Sequence, residues 1–229
     1  MSPKGKISDL FFSFQGEGLY LGEPQIFVRL ARCNISPRCS YCDTLAEVRE
    51  ELWPEEILSR IERKKWPTKF ISLTGGEPLL QTEFLDKLLT SLKKRKFKTY
   101  LETNGTLPEA LASVIDGVDI IAMDIKLPSS GQTGPFWHRH GEFLRLAKKK
   151  EIMIKVVLTQ DTEKKDLARA IRLVKDQAPA IPFILQPVTP GGREQAIGDK
   201  KLYGFFLLCR QHLKKVLVIP QLHAILGIK

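Results

Sequence analysis

Three cysteines stand close together in the chain, at Cys33, Cys39 and Cys42, and Asp43 and Thr44 follow them directly. Their C-x5-C-x2-C spacing brings three thiolates onto one loop. A four-iron cluster normally takes four thiolates. With three, one iron is left open to bind and transform a ligand. The loop is therefore predicted to hold a [4Fe-4S] cluster, and its open iron is where the chemistry would begin.

Zinc is the alternative metal for such a loop. A structural zinc site normally has four Cys or His ligands, and the fourth would be Cys209 or one of the histidines His138, His140, His212 and His223. The chain would then be a zinc-stabilised, basic RNA-binding module, but it has no second Cys/His pair at zinc spacing. Disulfides need an oxidising compartment, and an odd group of three cysteines without an apolar signal sequence argues against them. Cys209 ends the apolar run 205–209 and is predicted to be a buried core thiol.

The composition suits a single domain with a sizeable core. The chain has 229 residues, 43% of them hydrophobic, and a formal net charge of +10. No apolar stretch approaches the roughly 20 residues of a membrane span, so we expect a cytoplasmic protein without a membrane partner. The basic runs 93–96 and 148–150 fall near the ends of predicted helices, where lysines favour the helix dipole. No aromatic residues interleave with these charges as single-strand stacking would require, so a nucleic-acid partner is not expected.

Short β-like runs alternate with amphipathic helical segments along the chain. The predicted strands are 25–30, 70–73, 98–101, 119–123, 152–158, 182–185 and 215–219, and the predicted helices are 54–65, 83–95, 108–115, 142–150, 163–177 and 199–213. Such alternation is typical of a parallel sheet with helical crossovers. A full eight-unit barrel needs about 250 residues. The sequence therefore predicts an α/β fold, a partial, open (β/α) barrel with about six to seven mostly parallel strands, in one domain over 1–229 with its cluster loop at 33–44.

Unusual polar residues follow several of the predicted strands. In parallel α/β folds the active site lies at the carboxyl ends of the strands. One such segment is ordinary turn chemistry, but five on one rim predict a polar pocket. The segments are 74–78, 102–105, 124–126, 186–189 and 220–223. The Gly75-Gly76 pair would let the backbone approach a ligand closely, and no Gly-Lys-Ser/Thr follows it as a phosphate loop requires.

The cysteine loop, with Tyr41 just before its last cysteine, and the Gly-Gly-Glu-Pro sequence at 75–78 resemble the radical S-adenosylmethionine (SAM) superfamily. The resemblance implies that three cysteines hold a [4Fe-4S] cluster whose open iron chelates the amino and carboxylate groups of SAM. Reduction then breaks the sulfonium bond, and a 5′-deoxyadenosyl radical takes hydrogen from the substrate. The protein orients and shields this radical. A reducing electron donor such as flavodoxin or ferredoxin is implied as a partner.

A narrower resemblance covers nearly the whole chain. Its motifs are Phe-Gln-Gly-Glu-Gly at 14–18, Phe-Val-Arg-Leu at 27–30, Cys-Asp-Thr at 42–44, Thr-Gly-Gly-Glu-Pro at 74–78, Glu-Thr-Asn-Gly at 102–105, Gln-Pro at 186–187 and Gln-Leu-His at 221–223. Together these are similar to the 7-carboxy-7-deazaguanine synthases. The resemblance implies ring contraction of the pterin substrate 6-carboxy-5,6,7,8-tetrahydropterin to 7-carboxy-7-deazaguanine and ammonia, within queuosine and deazapurine biosynthesis. It also implies Mg2+ as a cofactor and a homodimer.

The resemblance further implies roles for single residues on the substrate side. Arg29 would pair with the substrate carboxylate, which suits its planar fork. Thr44 would offer its hydroxyl to Mg2+, a cation that prefers oxygen ligands, with assistance from Asp43. The other residues implied to contact the substrate are Phe14, Gln15, Gly16, Glu17, Thr74, Asn104 and His223. The family's final residue can offer its free carboxylate to the substrate; here that is Lys229, so a C-terminal tag is expected to lower turnover relative to the untagged protein.

On the cofactor side, the residues implied to contact SAM are Tyr41, Gly75, Gly76, Glu77, Asp124, Ile125, Lys126, Gln186, Pro187, Val188 and Thr189. The chain departs from the usual superfamily spacing of C-x3-C-x2-C, because two extra residues and Pro37 separate its first two cysteines. Asp124 also stands where some relatives have serine. Another radical SAM enzyme, such as a glycyl-radical activating enzyme, is the alternative within the superfamily. Those enzymes act on a protein partner, and the segments 15–17 and 42–44 argue against one.

Overall fold

The computed structural model describes residues 3–42, 44, 47–189 and 195–228. Within them the strands are β1 (Gly5–Phe14), β2 (Pro24–Leu30), β3 (Glu50–Leu52), β4 (Phe70–Gly75), β5 (Lys98–Thr103), β6 (Ile120–Asp124), β7 (Glu151–Leu158), β8 (Phe183–Pro187) and β9 (Val216–Val218). They form one open sheet in the order β3-β1-β2-β4-β5-β6-β7-β8-β9. From β2 to β9 the neighbours in this order are parallel. β1 is antiparallel to both β2 and β3.

Helices fill most of the connections between the parallel strands. They are α1 (Pro54–Lys64), α2 (Thr82–Lys94), α3 (Pro108–Val114), α4 (Pro128–Gly131), α5 (Trp137–Ala147), α6 (Lys164–Gln177), α7 (Asp199–Arg210) and α8 (Leu222–Leu226). In α6, Leu167, Ile171 and Val174 recur every three or four residues and are buried, so one stripe of the helix packs on the sheet. Among the described helices, none has the length and apolar character that crossing a membrane demands.

The pleat of the parallel strands gives the sheet one face that packs against the helices and another face that lines a cavity. Successive side chains of a strand point to opposite sides of the sheet. On β7, Ile154 and Val156 are fully buried in the core that the sheet shares with the helices. The alternate residues Lys155 and Val157 line a cavity instead. The helices therefore stabilise one face, and the other face is free to carry a site.

The predicted α/β architecture, an open and mostly parallel sheet with helical connections, is confirmed. The predicted strands correspond to β2 and β4–β9, but the sequence does not predict β1 or β3. A register shift between Ile7 and Asp9 interrupts the alternation of β1, and β3 has only three residues. Both are antiparallel additions at the edge beyond β2. All the described strands share one sheet, which supports the single domain over 1–229, although that remains a prediction.

Helix boundaries differ from the sequence expectation mainly at α5. This helix begins at Trp137, whereas the predicted helix begins at 142, so the predicted start is wrong. Gly141 and the polar run before it interrupt the helical pattern, because glycine costs about 1 kcal/mol in a helix interior. The short helices α4 and α8 are also not predicted, since four or five residues are too few to show a period.

Candidate active site

A cavity of about 600 Å3 opens at the carboxyl ends of strands β4 to β8. A volume of this size suits a small-molecule site, for which roughly 300–1,000 Å3 is usual. Most of the residues that the sequence singles out line its wall: Phe14, Gln15, Gly16, Glu17, Arg29, Cys33, Cys39, Tyr41, Cys42, Thr44, Thr74, Gly75, Gly76, Asn104, Asp124, Lys126, Gln186 and His223. The parallel strands bring most of them together because these strands end at the same edge of the sheet. Phe14, Gln15, Gly16 and Glu17 instead lie at and after the end of β1, which runs antiparallel to β2, and they reach the wall from another side.

Several of the residues expected to contact SAM do not line the cavity: Glu77, Ile125, Pro187, Val188 and Thr189. Ile125 is fully buried in the core. Thr189 donates its backbone N–H to the Gln221 side chain at 3.2 Å. Asp43 and Lys229 lie outside the described residues, so their expected contacts with Mg2+ and the substrate have no structural counterpart here.

The cysteine loop joins the cavity wall through all three of its thiols. Cys33, Cys39 and Cys42 are free cysteines, and Cys39 is the buried one. A turn from the Cys42 N–H to the Cys39 carbonyl, 3.0 Å, closes the end of the loop, and Ser40 donates to the Gly131 carbonyl at 3.1 Å. Burial raises the pKa of the Cys39 thiol, against the opposing effect of the Lys126 ammonium.

The donors on the wall fit an iron–sulfur cluster. Three thiols on one loop are the ligand type that such clusters take. Among the described residues, no three His, Cys, Asp or Glu side chains lie close enough to hold a single metal ion. A four-iron cluster places its cysteines on separate irons, so its ligands stand farther apart than those of one ion. The three thiols therefore fit the cluster in two respects: they are the right type of ligand, and they line the same cavity.

Two buried acceptors on the same wall fit a ligand that carries hydrogen-bond donors. Asp124 Oδ1 and Gln186 Oε1 have no hydrogen-bond partner among the described residues. A buried acceptor that stays unpaired costs about 1–3 kcal/mol. SAM carries donors in its amino group and its ribose hydroxyls. These two atoms are therefore suitable acceptors for it.

Glu102 belongs to segment 102–105, which the sequence placed on the polar rim without giving this residue a role of its own, and it organises one side of the cavity. Its Oε1 accepts hydrogen bonds from Gln15 Nε2 at 2.9 Å and from Ser72 Oγ at 2.8 Å, and its Oε2 accepts from Thr74 Oγ1 at 3.1 Å. The carboxylate, on β5, thus holds Ser72 and Thr74 of β4 and Gln15 of the loop after β1 in one cluster. Its position at the end of β5 is the signal that placed its segment on the predicted rim, but the three hydrogen bonds of its carboxylate are visible only in the structure.

Lys155, to which the sequence analysis gave no role, is another member of the wall. On β7 it pairs in register with Asp124 of β6, and its Nζ lies 3.5 Å from Asp124 Oδ2 and in direct contact with the Glu17 carboxylate. Lys126 contacts the same Asp124 oxygen at 2.8 Å. Burial acts to raise the pKa of Glu17, but Lys155 outweighs it and the pKa lies below its usual value. The same balance, with Lys126 first among the ammonium groups, lowers the pKa of Asp124.

The C-terminal segment closes over the loop that follows β1. Leu222 donates its backbone N–H to the Gly16 carbonyl at 2.9 Å, and Gln221 Nε2 donates to Glu17 Oε1 at 3.0 Å. A Cβ on Gly16 would stand 2.3 Å from His223 Nδ1. Only glycine lets His223 approach this closely, so the two motifs at opposite ends of the described chain form one part of the wall.

The comparison with known proteins decides the family. Residues 28–159 match the Radical SAM superfamily. The chain is 35% identical to the 7-carboxy-7-deazaguanine synthase of Geobacter sulfurreducens, over 98% of this chain and 98% of that protein. The chain belongs to the 7-carboxy-7-deazaguanine synthase family. Membership in this radical SAM family sets aside the zinc-stabilised RNA-binding module.

Two solved structures resemble the synthase fold seen here. QueE from Escherichia coli superposes with a TM-score of 0.63 at 22% identity, over 93% of each chain. A domain of the pyruvate-formate lyase-activating enzyme from Bacteroides vulgatus gives 0.53 at 15% identity, over 64% of this chain and 96% of that chain. These likenesses concern the fold alone, and an activating enzyme shares it. Sequence identity to the synthases, rather than the fold, therefore argues against the activating-enzyme alternative.

Behind the synthase cavity, Glu77 of the Gly-Gly-Glu-Pro segment is fully buried. Its Oε1 accepts from the Leu79 N–H at 3.1 Å and Thr103 Oγ1 at 2.9 Å, and its Oε2 accepts from the Asn104 N–H at 2.7 Å. It therefore joins the loop after β4 to the end of β5. Burial raises its pKa to about 7, although these donors, with the Asn104 N–H first, act to lower it.

The Glu77→Gln variant is expected to change how the stability of this synthase depends on pH. The folded pKa of about 7 lies above the reference value of 4.5, so the folded protein binds the proton more tightly than the unfolded chain. The contribution of Glu77 is full below about pH 4.5 and is lost as the pH rises through 7. Wild type should lose about 3 kcal/mol of unfolding free energy relative to the variant across that window.

Urea unfolding of both proteins between pH 4.5 and 8 measures this difference. Burial lowers the pKa of His140 to about 4, and that histidine adds stability as the pH rises, in the opposite direction. His140 is present in both proteins, so its effect cancels in the comparison. A difference that stays constant with pH would contradict the assignment to Glu77.

The Lys155→Met variant is expected to lose about 3 kcal/mol of unfolding free energy, because it leaves the half-buried Glu17 and the buried Asp124 carboxylates without their shared ammonium. Urea unfolding at neutral pH measures the loss. Lys165→Met is the matched control, since its ion pair with Glu163 is solvent-exposed and should contribute nothing measurable. Equal midpoints for Lys155→Met and wild type would show that the ion pairs of Lys155 do not stabilise this wall.

Proposed function

We propose that this chain is a radical SAM lyase that converts 6-carboxy-5,6,7,8-tetrahydropterin to 7-carboxy-7-deazaguanine with release of ammonia, a step of queuosine and deazapurine biosynthesis. The observation that carries the proposal is the shared cavity. Three free thiols and the polar carboxyl ends of β4 to β8 line it, in a chain that belongs to the synthase family.

The residues that line the cavity suggest which side chains would bind the cofactors. Cys33, Cys39 and Cys42 would hold the [4Fe-4S] cluster, and Gly75 and Gly76 would let the backbone approach SAM. When bound, the cluster and SAM supply the radical that removes hydrogen from the substrate. The buried acceptors Asp124 Oδ1 and Gln186 Oε1 would receive SAM donors, and the Lys126 ammonium, 5.3 Å from the Tyr41 ring centroid, would pair with its carboxylate. The remaining residues implied to contact SAM do not line the cavity and would support the residues that do.

The substrate residues lie around Glu102 and Arg29. The Arg29 guanidinium lies 5.1 Å from the Phe11 ring centroid, and this contact with the aromatic face would hold it ready for the substrate carboxylate. Gln15 and Thr74, held by Glu102, present polar groups suited to a pterin ring.

Further parts of the proposal rest on the family resemblance. Thr44 lines the cavity and would give its hydroxyl to Mg2+, a cation that takes oxygen ligands and retains waters. A flavodoxin- or ferredoxin-type electron donor, a homodimer and a cytoplasmic location belong to the same proposal. Titration of turnover with Mg2+ tests the requirement for this cation, and measurement of the molar mass in solution tests the dimer.

An anaerobic turnover assay tests the reaction. The iron- and sulfide-reconstituted protein is mixed with SAM, reductant, Mg2+ and 6-carboxytetrahydropterin, and products are followed by mass spectrometry. Carboxydeazaguanine in excess over SAM consumed is expected, because the reaction regenerates SAM. Mixtures without SAM or with the Cys39→Ala variant serve as controls. Slow formation of 5′-deoxyadenosine without any deazapurine would keep the radical chemistry and reject the substrate.

A further inference from the structure

The side chain of Asn104, at the end of β5, has both ends of its amide occupied by the protein. Its Oδ1 accepts from the Thr106 backbone N–H at 3.1 Å and from Thr106 Oγ1 at 2.6 Å. Its Nδ2 donates to Asn34 Oδ1 at 2.9 Å and stands 4.0 Å from the Cys33 sulfur. The residue is only 5% exposed, so this amide belongs to the wall more than to the cavity.

The orientation of the Asn104 amide is determined by its neighbours. The two ends of an amide look alike at ordinary resolution and are assigned from the hydrogen bonds around them. A backbone N–H can only donate, so the oxygen must face Thr106 and the nitrogen must face Cys33. The Asn104 backbone is also held at both polar atoms: its N–H donates to Glu77 Oε2 at 2.7 Å, and its carbonyl oxygen lies 3.0 Å from His140 Nε2.

Asn34 completes a ring of hydrogen bonds. It accepts from Asn104 Nδ2, and its own Nδ2 donates to Thr106 Oγ1 at 2.8 Å. Thr106 Oγ1 in turn donates to Asn104 Oδ1. We call these three residues the amide ring. Since Asn34 directly follows Cys33, the amide ring ties the start of the cysteine loop to the end of β5 and keeps one N–H dipole aimed at the Cys33 sulfur.

We propose that Asn104 is a positioning residue that sets the reduction potential of the cluster ligated by Cys33. This role goes beyond the proposed reaction and rests only on the cluster that the family carries. A reduced cluster holds one more negative charge than an oxidised one, and part of that charge lies on the cysteine sulfurs. An N–H dipole aimed at a sulfur stabilises the reduced state more and raises the potential, one of the recognised ways in which proteins tune such clusters.

The test compares Asn104→Ala and Asn104→Asp with wild type. Each protein is reconstituted anaerobically, and the fraction of reduced cluster is followed by electron paramagnetic resonance during a redox titration without substrate. For Asn104→Ala we expect roughly a tenfold lower ratio of reduced to oxidised cluster at a given potential, which is about 59 mV for one electron. Asn104→Asp should shift further in the same direction, because it puts a negative charge in place of the N–H.

Thr106→Val is the matched control. It removes the hydroxyl from the amide ring but keeps the backbone N–H that orients Asn104, so its potential should stay close to that of wild type. If Asn104→Ala does not retain a cluster, Asn104→Asp, which has the same shape, decides the question. A purely structural role would lower the iron content and leave the potential of the remaining clusters unchanged. Full iron content with wild-type potentials in both Asn104 variants would overturn the proposal.

The readout separates this inference from the proposed reaction. The redox titration needs neither pterin nor turnover, so a shifted potential in a protein that makes no carboxydeazaguanine would keep the role of Asn104 and reject the substrate. Wild-type protein that binds zinc and no iron after reconstitution would overturn both.

Discussion

Replacing Cys39 with alanine should abolish SAM cleavage, reducing 5′-deoxyadenosine formation to that of the protein-free mixture, while the fold is retained. Cys39 lines the cavity with Cys33 and Cys42. Two thiolates cannot hold the cluster in the way that three do, so the variant should bind little iron and sulfide. Chromatographic assay of 5′-deoxyadenosine after anaerobic reconstitution measures the loss, and circular dichroism checks the fold.

Cys209→Ala is the matched control for this result. Cys209 is also a buried free thiol, but it belongs to the hydrophobic core and does not line the cavity. Its replacement should keep the iron content and SAM cleavage, and should cost about 1 kcal/mol of unfolding free energy through lost packing. Normal 5′-deoxyadenosine formation by Cys39→Ala, or its loss in Cys209→Ala, would contradict the assignment of the cluster ligands.

The second large effect is expected for Gly75→Ala, which should lose more than about 4 kcal/mol of unfolding free energy. Gly75 has a φ of +134°, a conformation that L side chains rarely adopt. A Cβ there would lie 2.0 Å from the Leu30 carbonyl oxygen and 2.6 Å from the Leu30 nitrogen. Both atoms belong to the backbone of β2, so no side-chain rotation can relieve the clash.

The damage from Gly75→Ala should reach the active site as well. Gly75 pairs with Leu30 at the carboxyl end of β2 and β4, and the Gly76 N–H donates to the Leu30 carbonyl at 3.1 Å. Leu30 lies three residues before Cys33, so its displacement would move the cysteine loop. We therefore expect lower iron incorporation together with the lower urea midpoint.

Gly22→Ala separates backbone strain from the clash. Gly22 also has a positive φ, of +85°, but a Cβ there would meet nothing within 4 Å. Its replacement should cost only the strain of the conformation, roughly 1–2 kcal/mol, and should leave iron incorporation unchanged. If Gly75→Ala cost no more than Gly22→Ala, the close approach of the two strands would not be the reason that glycine is needed.

The features that could be predicted from the sequence are local. The spacing of Cys33, Cys39 and Cys42 lies within one loop, and the segment 74–78 follows a buried strand directly. Because alternating strands and helices form a parallel sheet, whose strands end at one edge, the shared polar pocket followed from the same pattern. The architecture and most of the cavity wall could therefore be predicted without contacts between distant residues.

The unpredicted features depend on residues far apart in the chain. Gln15 meets Glu102 across 87 positions, Lys155 meets Glu17 across 138, and Gln221 meets Glu17 across 204. No local pattern reveals that Lys155 faces the cavity, because this depends on the register of β7 against β6. Ile125, next to Asp124, lies in the core and away from the cavity, although the segment 124–126 suggested a contact with SAM.

The sequence by itself determined the cysteine loop, the strand-end motifs and the open parallel sheet. Side-chain type, spacing and periodicity are properties of short segments, and the structures that they favour depend on interactions between residues close together in the chain. Only the tertiary structure decided which side chains share a wall and which charges meet. It also decided that the Asn104 amide faces Cys33, through neighbours on separate elements. Such contacts form when strands pair and loops pack, so their geometry exists only in the folded chain.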